Sequence, residues 1–287
     1  MLTRRTALAA AAGALAAPAR AATPRVVAAG GAITEAVYAL GAQALLVGVD
    51  STSLHPAAAR ALPGVGYLRA LSAEGVLSLA PTLLLAHPDA GPPAVLQQLR
   101  AARVAVETVD VPHSVAGVGA LLRRVGALCG RGDAGAALAT RTEAEAEAAR
   151  QGAAARAAGR VPRVLFVLAH SPAQLRVAGA DTAADAMITL AGAHNVLAGA
   201  GGFSGYKPLT PEAAIAAAPD VILATDQGLL AAGGTDGLLR TPGLAATPAG
   251  RARRVVALDA LLLLGFGPRT PQAIRQLAEA LHGGARA

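Results

Sequence analysis

Two stretches of the chain spell one pattern. GYLRALSAEGVLSLAPTLLLA (66–86) is matched by GYKPLTPEAAIAAAPDVILAT (205–225), and from Leu71 and Leu209 onward they align without a gap. Each copy runs leucine, small hydroxyl residue, one spacer, glutamate, apolar helix, proline, apolar strand. A second pair, YALGAQALLVG (38–48) and TLAGAHNVLAG (189–199), aligns as helix, Gly-Ala stop and strand. The distance between copies is about half the chain, too long for a solenoid, whose units recur about every 20–50 residues. Two related lobes are implied instead, and 287 residues suffice for two domains of ordinary size.

The local patterns agree. RVVAAGG, LLVGVD, TLLLAH and VAVETV are short apolar runs set between helical stretches such as ITEAVYALG and PPAVLQQLRAA. That alternation is the βαβ signature of a parallel sheet covered on both faces. The plan recurs with RVLFVL, NVL, DVILAT and RRVVAL as strands and TPQAIRQLAEALHG as the closing helix. From about 115 to 158 no strand pattern occurs, only VAGVGALLRRVGALCG and a long alanine- and glutamate-rich helix after GRGD. The expected fold class is α/β, with two Rossmann-like lobes of parallel sheet joined by a long backbone helix. The boundaries are an N-terminal lobe at 24–114, a helical linker at 115–159 and a C-terminal lobe at 160–287. A helical spine predicts a stiff clam with limited closure, because strand linkers make the easier hinges.

Residues 1–22 read as an export signal that is removed. Arg4 and Arg5 precede an apolar run from about Thr6 to Ala17, and Ala19-Arg20-Ala21 supplies an A-x-A exit. The paired arginines resemble a twin-arginine signal, with Sec export the alternative because Ala7 stands where a bulky residue is usual. The run falls short of the about 20 apolar residues needed to span a bilayer. A soluble, exported protein is expected. Its one cysteine, Cys129, lies in an apolar helical pattern and reads as a small buried hydrophobe.

The formal charge of +7 includes Arg4, Arg5 and Arg20, so the mature chain is nearer +4. No basic stripe with interleaved aromatics is present, which argues against nucleic acid as a partner. A modest positive balance suits an anionic small ligand. With no Trp and 2% aromatic residues, a binding site here cannot rest on tryptophan stacking. Enzyme signatures are missing too: the chain has no G-x-G-x-x-G, no Walker GK[ST] and no G-x-S-x-G elbow. A non-enzymatic protein is the expectation.

Taken together, the paired lobes, helical backbone, export signal and one glutamate per lobe resemble the substrate-binding proteins of ABC importers for large iron chelates and corrinoids. GGAITEAVYALG, VGVDSTSLHP, LPGVGYLRALSAEGVLSL, DAGPPAVLQQL and GYKPLTPEA are most similar to the haem (heme) branch of that class. The likeness covers about residues 24–284 and is most specific from Val47 to Leu99. It implies a bilobal periplasmic protein, acting as a monomer, that captures haem as transported ligand between its lobes. It further implies delivery to an inner-membrane ABC permease with its ATPase subunits.

The resemblance also implies roles for residues. Tyr67 would ligate the haem iron, since ferric haem is a hard Lewis acid and phenolate is among its axial ligands in proteins. Coordination removes a proton from a group whose free pKa is about 10, and a neighbouring cation, Arg69, would favour the phenolate. Spacing alone favours a loop tyrosine packed on its lobe beside a surface arginine. His170 ends the strand RVLFVLAH, and ligands gather at strand carboxyl ends. It is the candidate second iron ligand, although some members of the class bind with the tyrosine alone. His87 ends the matching strand of the first lobe and is expected at the rim. Tyr206 and Lys207 occupy the second GY loop and are candidates to meet the haem propionates, with Arg176 a weaker one. His55, His113, His194 and His282 fall in turns or helix ends, as solvated or capping groups.

Glu74 and Glu212 occupy equivalent first-turn positions. The helix macrodipole explains one such acid comfortably, at a few tenths to about 1 kcal/mol. The resemblance makes the pair a docking key for arginines on the two permease subunits, a two-fold key for a two-fold partner. Two alternatives stand within the same architecture. A ferric-siderophore or cobalamin receptor would want several aromatics or an arginine cluster. A zinc or manganese receptor would want about three histidines and a carboxylate converging, and no His-rich loop groups the six histidines present.

Overall fold

The computed structural model describes residues 23–157, 159–169, 175–199 and 201–283. The expected export signal and His170 lie outside these residues.

The first half builds four strands: β1 (Val26–Ala29), β2 (Leu46–Val49), β3 (Leu83–Ala86) and β4 (Ala105–Thr108). They form one parallel sheet in the order β2-β1-β3-β4. Helices α1 (Gly31–Ala39), α2 (Ala73–Leu77) and α3 (Pro93–Ala101) connect them. Both faces of this sheet are covered. Val26 and Ala28 join one apolar cluster, and the intervening Val27 and Ala29 join another. That is why the strand sequences are continuously apolar rather than alternating.

Two long helices follow, α4 (Val115–Leu128) and α5 (Gly132–Arg156). The Ser114 hydroxyl caps α4 by accepting the Gly117 N–H at 3.0 Å. At 25 residues, α5 is about 37 Å long at the α-helical rise. The two helices pack closely because a Cβ on Gly135 would lie 2.9 Å from the Leu122 carbonyl oxygen and 3.0 Å from the Gly126 Cα.

The second half contributes β5 (Arg163–Ala169), β6 (Leu175–Ala178), β7 (His194–Asn195), β8 (Tyr206–Pro208), β9 (Val221–Thr225) and β10 (Val255–Leu258). Its helices are α6 (Ala183–Leu190), α7 (Pro211–Ala217), α8 (Asp226–Ala231), α9 (Gly234–Leu239), α10 (Pro248–Arg251), α11 (Ala260–Leu264) and α12 (Thr270–His282). The strand order is β10-β9-β5-β6-β8, with β7 paired to β5. Here the expectation of a purely parallel sheet is corrected, because β6 runs antiparallel to both β5 and β8. Only residues 170–174 separate β5 from β6, and a parallel crossover needs about a dozen or more.

One apolar cluster runs through the whole molecule. It joins Val26 and Leu83 of the first sheet, Leu122 of α4, Leu138 and Ala146 of α5, Phe166 of β5, and Leu277 of α12. Separate clusters cover the outer face of each sheet, around Val76 and Leu99 in the first and around Ile222 and Ala214 in the second.

The sequence repeat is reproduced to the level of single hydrogen bonds. Ser72 and Thr210 are N-caps whose hydroxyls accept the N–H groups of Gly75 (3.3 Å) and Ala213 (3.2 Å). Ala80 (φ 45°) and Ala218 (φ 41°) are left-handed, each just before the shared proline. An arginine opens each sheet at the same place. Arg25 donates to the carbonyls of Leu79 (2.7 Å) and Ala80 (2.9 Å), and Arg163 to those of Ala217 (2.7 Å) and Ala218 (3.4 Å). These guanidinium groups satisfy carbonyls that the ends of α2 and α7 leave without an intrahelical partner.

Candidate functional site: a cavity between the two sheets

A cavity of about 800 Å³ opens where the carboxyl ends of the strands of both sheets converge. Its walls come from the turns after β1, β3, β4, β9 and β10, the usual position for ligands in α/β sheets. Apolar surface dominates, from Leu54, Leu68, Val111, Leu168, Leu261 and Leu264. This composition and size match small-molecule sites, which are about 300–1,000 Å³ and mostly apolar with a few placed polar groups.

The floor is fixed by contacts between the two halves. A Cβ on Gly31 would lie 2.6 Å from Leu261 Cδ1 and 2.6 Å from the Thr52 carbonyl, so only glycine lets α11 approach the start of α1. Asp50 is buried and accepts hydrogen bonds from Gly30 N–H (2.9 Å), Thr52 N–H (3.0 Å), the Thr52 hydroxyl (2.7 Å) and the Ser53 hydroxyl (2.9 Å). It ties the first βα turn to the 51–54 segment. Behind the floor, Arg269 at the start of α12 donates twice to Glu35 of α1, with Nε at 3.0 Å. The Glu35 side chain is 4% exposed and that of Arg269 21%. Burial raises the Glu35 pKa above the usual carboxylate value; hydrogen bonding and charge from Arg269 oppose the rise, and Asp259 adds to it.

On one wall, Gly66 (φ 88°) turns the chain into Tyr67, which precedes a short 3-10 turn at Leu68–Ala70. Tyr67 is 43% exposed, an unusual state for a large ring. Arg69 donates Nη1–H to the Tyr67 phenol oxygen and Nη2–H to the Asp89 carboxylate. Burial works against the Arg69 charge, but the hydrogen bonds to Tyr67 and Asp89 outweigh it, and its pKa is raised. The Asp89 backbone N–H donates to His87 Nδ1 at 3.1 Å. An accepting Nδ1 puts the proton of the neutral ring on Nε2, so His87 offers the cavity a donor rather than a lone pair. Its neutrality is favoured by burial first, which lowers its pKa; Asp89 opposes this, while Arg69 and His113 reinforce it.

On the other wall, Tyr206 lines the cavity and packs edge-on against Phe166, ring centroids 6.5 Å apart. Burial raises its phenol pKa, with hydrogen bonding to Thr182 and the Ala184 backbone opposing. Lys207 is placed elsewhere. Successive strand residues face opposite sides, so with Tyr206 inward its neighbour points away, its Nζ 4.7 Å above the Phe203 ring. Arg176 also stays outside the lining, donating to the Tyr206 carbonyl oxygen. Lys207 and Arg176 are therefore not brought to the cavity, contrary to the sequence expectation.

The structure thus gathers Tyr67, Arg69, His87 and Tyr206 around one space. His113 joins them. Set aside above as solvated or capping, it lines the cavity with its ring 5.2 Å from Phe266. Asp89 was missed as well, since its sequence context, HPDAG, carries only a turn signal. Cys129 is buried, and burial pushes its thiol pKa up. Glu74 and Glu212 lie away from the cavity, both exposed at the second residue of α2 and α7. Neither takes part in an ion pair among the described residues. One turn further on, the matched residues Leu77 and Ile215 are large hydrophobics left exposed. No helix among the described residues is long and apolar enough to cross a membrane, and they hold no cluster of three or more His, Cys, Asp or Glu that would suit a metal ion.

Comparison with known proteins places this architecture. The chain is 52% identical to the periplasmic heme-binding protein BhuT, solved in complex with two hemes, covering 91% of this chain and 98% of that one with a TM-score of 0.85. It is 46% identical to the periplasmic heme-binding protein RhuT from Roseiflexus sp. RS-1, covering 92% and 100% with a TM-score of 0.87. A periplasmic heme-binding protein from Pseudomonas aeruginosa is 38% identical, covering 92% and 94% with a TM-score of 0.84. The family model for periplasmic binding proteins matches residues 26–262, nearly the whole described chain, and the protein belongs to the periplasmic binding protein family.

Proposed function

We propose that this protein captures haem in the cavity between its sheets and delivers it, as a monomer and without a catalytic step, to an ABC importer in the inner membrane. The observation that carries the reading is Tyr67, an exposed phenol on an apolar cavity wall with an arginine donating to its oxygen. A phenolate oxygen suits ferric iron, and the hydrogen bond from Arg69 stabilises the negative charge that coordination requires. The aliphatic lining supplies the porphyrin with contact surface in a chain that has little aromatic surface to offer. His87 and Tyr206, both on the cavity wall, are donors suited to haem carboxylates.

The same features disfavour the alternative cargoes. Among the described residues lining the cavity, Arg69 is the sole Lys or Arg and Tyr67 and Tyr206 are the sole Tyr, Phe or Trp. A siderophore or corrinoid site of the same class would want more of either. Glu74 and Glu212 belong to a second surface, with the exposure and paired placement that docking to a two-fold permease asks for.

Titration with hemin tests the reading. The expected result is a Soret band with ferric high-spin, tyrosinate-ligated features and a defined stoichiometry. Tyr67→Ala removes those features. Failure to bind hemin, with retained binding of a corrinoid or Zn²⁺, overturns the proposal. Delivery is tested separately with permease in lipid discs: Glu74→Ala and Glu212→Ala are each expected to impair transfer and leave the hemin titration unchanged.

A further inference from the structure

Arg69, the sole Lys or Arg among the described lining residues, holds two partners at once: the Tyr67 phenol oxygen on one arm of its guanidinium and the Asp89 carboxylate on the other. Asp89 sits just beyond β3, and its main chain is anchored separately by the N–H donated to His87 Nδ1. The Arg69 and Asp89 side chains line the cavity and are each about half exposed. From this geometry we propose that Asp89 is a positioning residue that sets how strongly Tyr67 donates to the iron of bound haem.

This rests on the haem reading above and adds a control to it. A cationic donor on a phenolate oxygen draws electron density away from the metal bond, and the effect grows with the positive charge that reaches the oxygen. A carboxylate on the far side of the same planar guanidinium shares that charge and aims the fork at the phenol. Asp89 therefore keeps Arg69 on Tyr67, and out of reach of haem carboxylates, while moderating its pull. Phenolate to ferric iron and Arg69 to Asp89 then form two locally balanced charge pairs, a favourable arrangement in a partly desolvated site.

Asp89→Asn isolates the charge, because the amide oxygen still accepts from Arg69 and the backbone bond to His87 is untouched. The wild-type and Asp89→Asn proteins, both loaded with hemin, are compared by absorption and resonance Raman spectroscopy. In the variant the tyrosinate-to-iron charge-transfer band is expected to move to shorter wavelength and the iron–phenolate stretch to lower frequency. Loss of haem to excess apomyoglobin is expected to be severalfold faster. Asp89→Glu is expected to return both spectroscopic signatures toward wild type. An unchanged Asp89→Asn spectrum with unchanged haem loss, or a band shift to longer wavelength, overturns the proposal. A wild-type protein whose hemin spectrum is unaffected by Tyr67→Phe overturns the ligand reading instead, a result distinguishable from failure of the Asp89 inference.

Discussion

The two copies of the repeat share their outward landmarks and differ most beside the tyrosine that each presents to the cavity. Outward, the N-capping hydroxyls, the glutamates, the left-handed alanines and the arginines that hold their carbonyls correspond residue for residue. Inward, Tyr67 and Tyr206 part company. Glu74 follows Tyr67 by seven positions, and Glu212 follows Tyr206 by six. The additional residue in the first copy accommodates the 3-10 turn that brings Arg69 back onto the phenol. In the second copy the tyrosine begins β8, and strand alternation sends the following lysine to the opposite face. The copies thus match on the surface proposed for a two-fold partner and differ on the surface proposed for the ligand.

Breaking that contrast has graded consequences. The largest effect is expected from exchanging the two phenols for phenylalanine. Tyr67→Phe abolishes the tyrosinate signature of bound hemin, whereas Tyr206→Phe leaves it in place, as a hemin titration of each variant will read. Next comes the link between the halves. Glu35→Ala leaves Arg269 only its longer contact to Asp259 (3.8 Å) behind the cavity floor, and a loss approaching that of a broken buried pair, about 3 kcal/mol, is expected, measurable as a lowered urea midpoint. Smaller and symmetric effects are expected at the outer arginines. Arg25→Ala and Arg163→Ala should each cost about 1 kcal/mol, the scale of a hydrogen bond released to water, and similar losses would extend the equivalence of the copies to energetics. The smallest effect concerns acid stability. The His87 pKa is lowered from its ordinary 6.5, so the folded protein binds less proton there than the unfolded chain does. Its contribution is fully present above that value and is lost as pH falls through the folded-state pKa. His87→Gln should accordingly flatten the decline of stability on the acid side of neutrality.

Much of this was legible in the chain because the central strands are unbroken apolar runs. VVAA, LLLA and VILAT are buried on both faces and announce themselves without help from alternation. The β6–β8 pairing was not legible. LRVA carries an arginine, and YKP is three residues long and ends in a proline, tolerated there because β8 is an edge strand. Missing β8 meant missing which way Lys207 points. Helices α8 to α11 are four to six residues each, too short to establish a helical period. Tyr67 and Arg69 were visible as neighbours in sequence, but Asp89 completes their cluster from 20 residues away. That contact depends on how closely the turns after β2 and β3 approach, and no local pattern encodes it.

The apolar cluster that threads from the first sheet through α5 to the second has a consequence for how the molecule fails. With one core shared by both halves, melting either exposes apolar surface of the other, and a single cooperative transition is the expected outcome from all probes. If that single transition is observed, the carrier populates no half-unfolded species in which the cargo site is open and a strand edge is offered to proteases or to other unfolded chains. Its exposure to both hazards is governed by one global unfolding free energy rather than by the weaker of two.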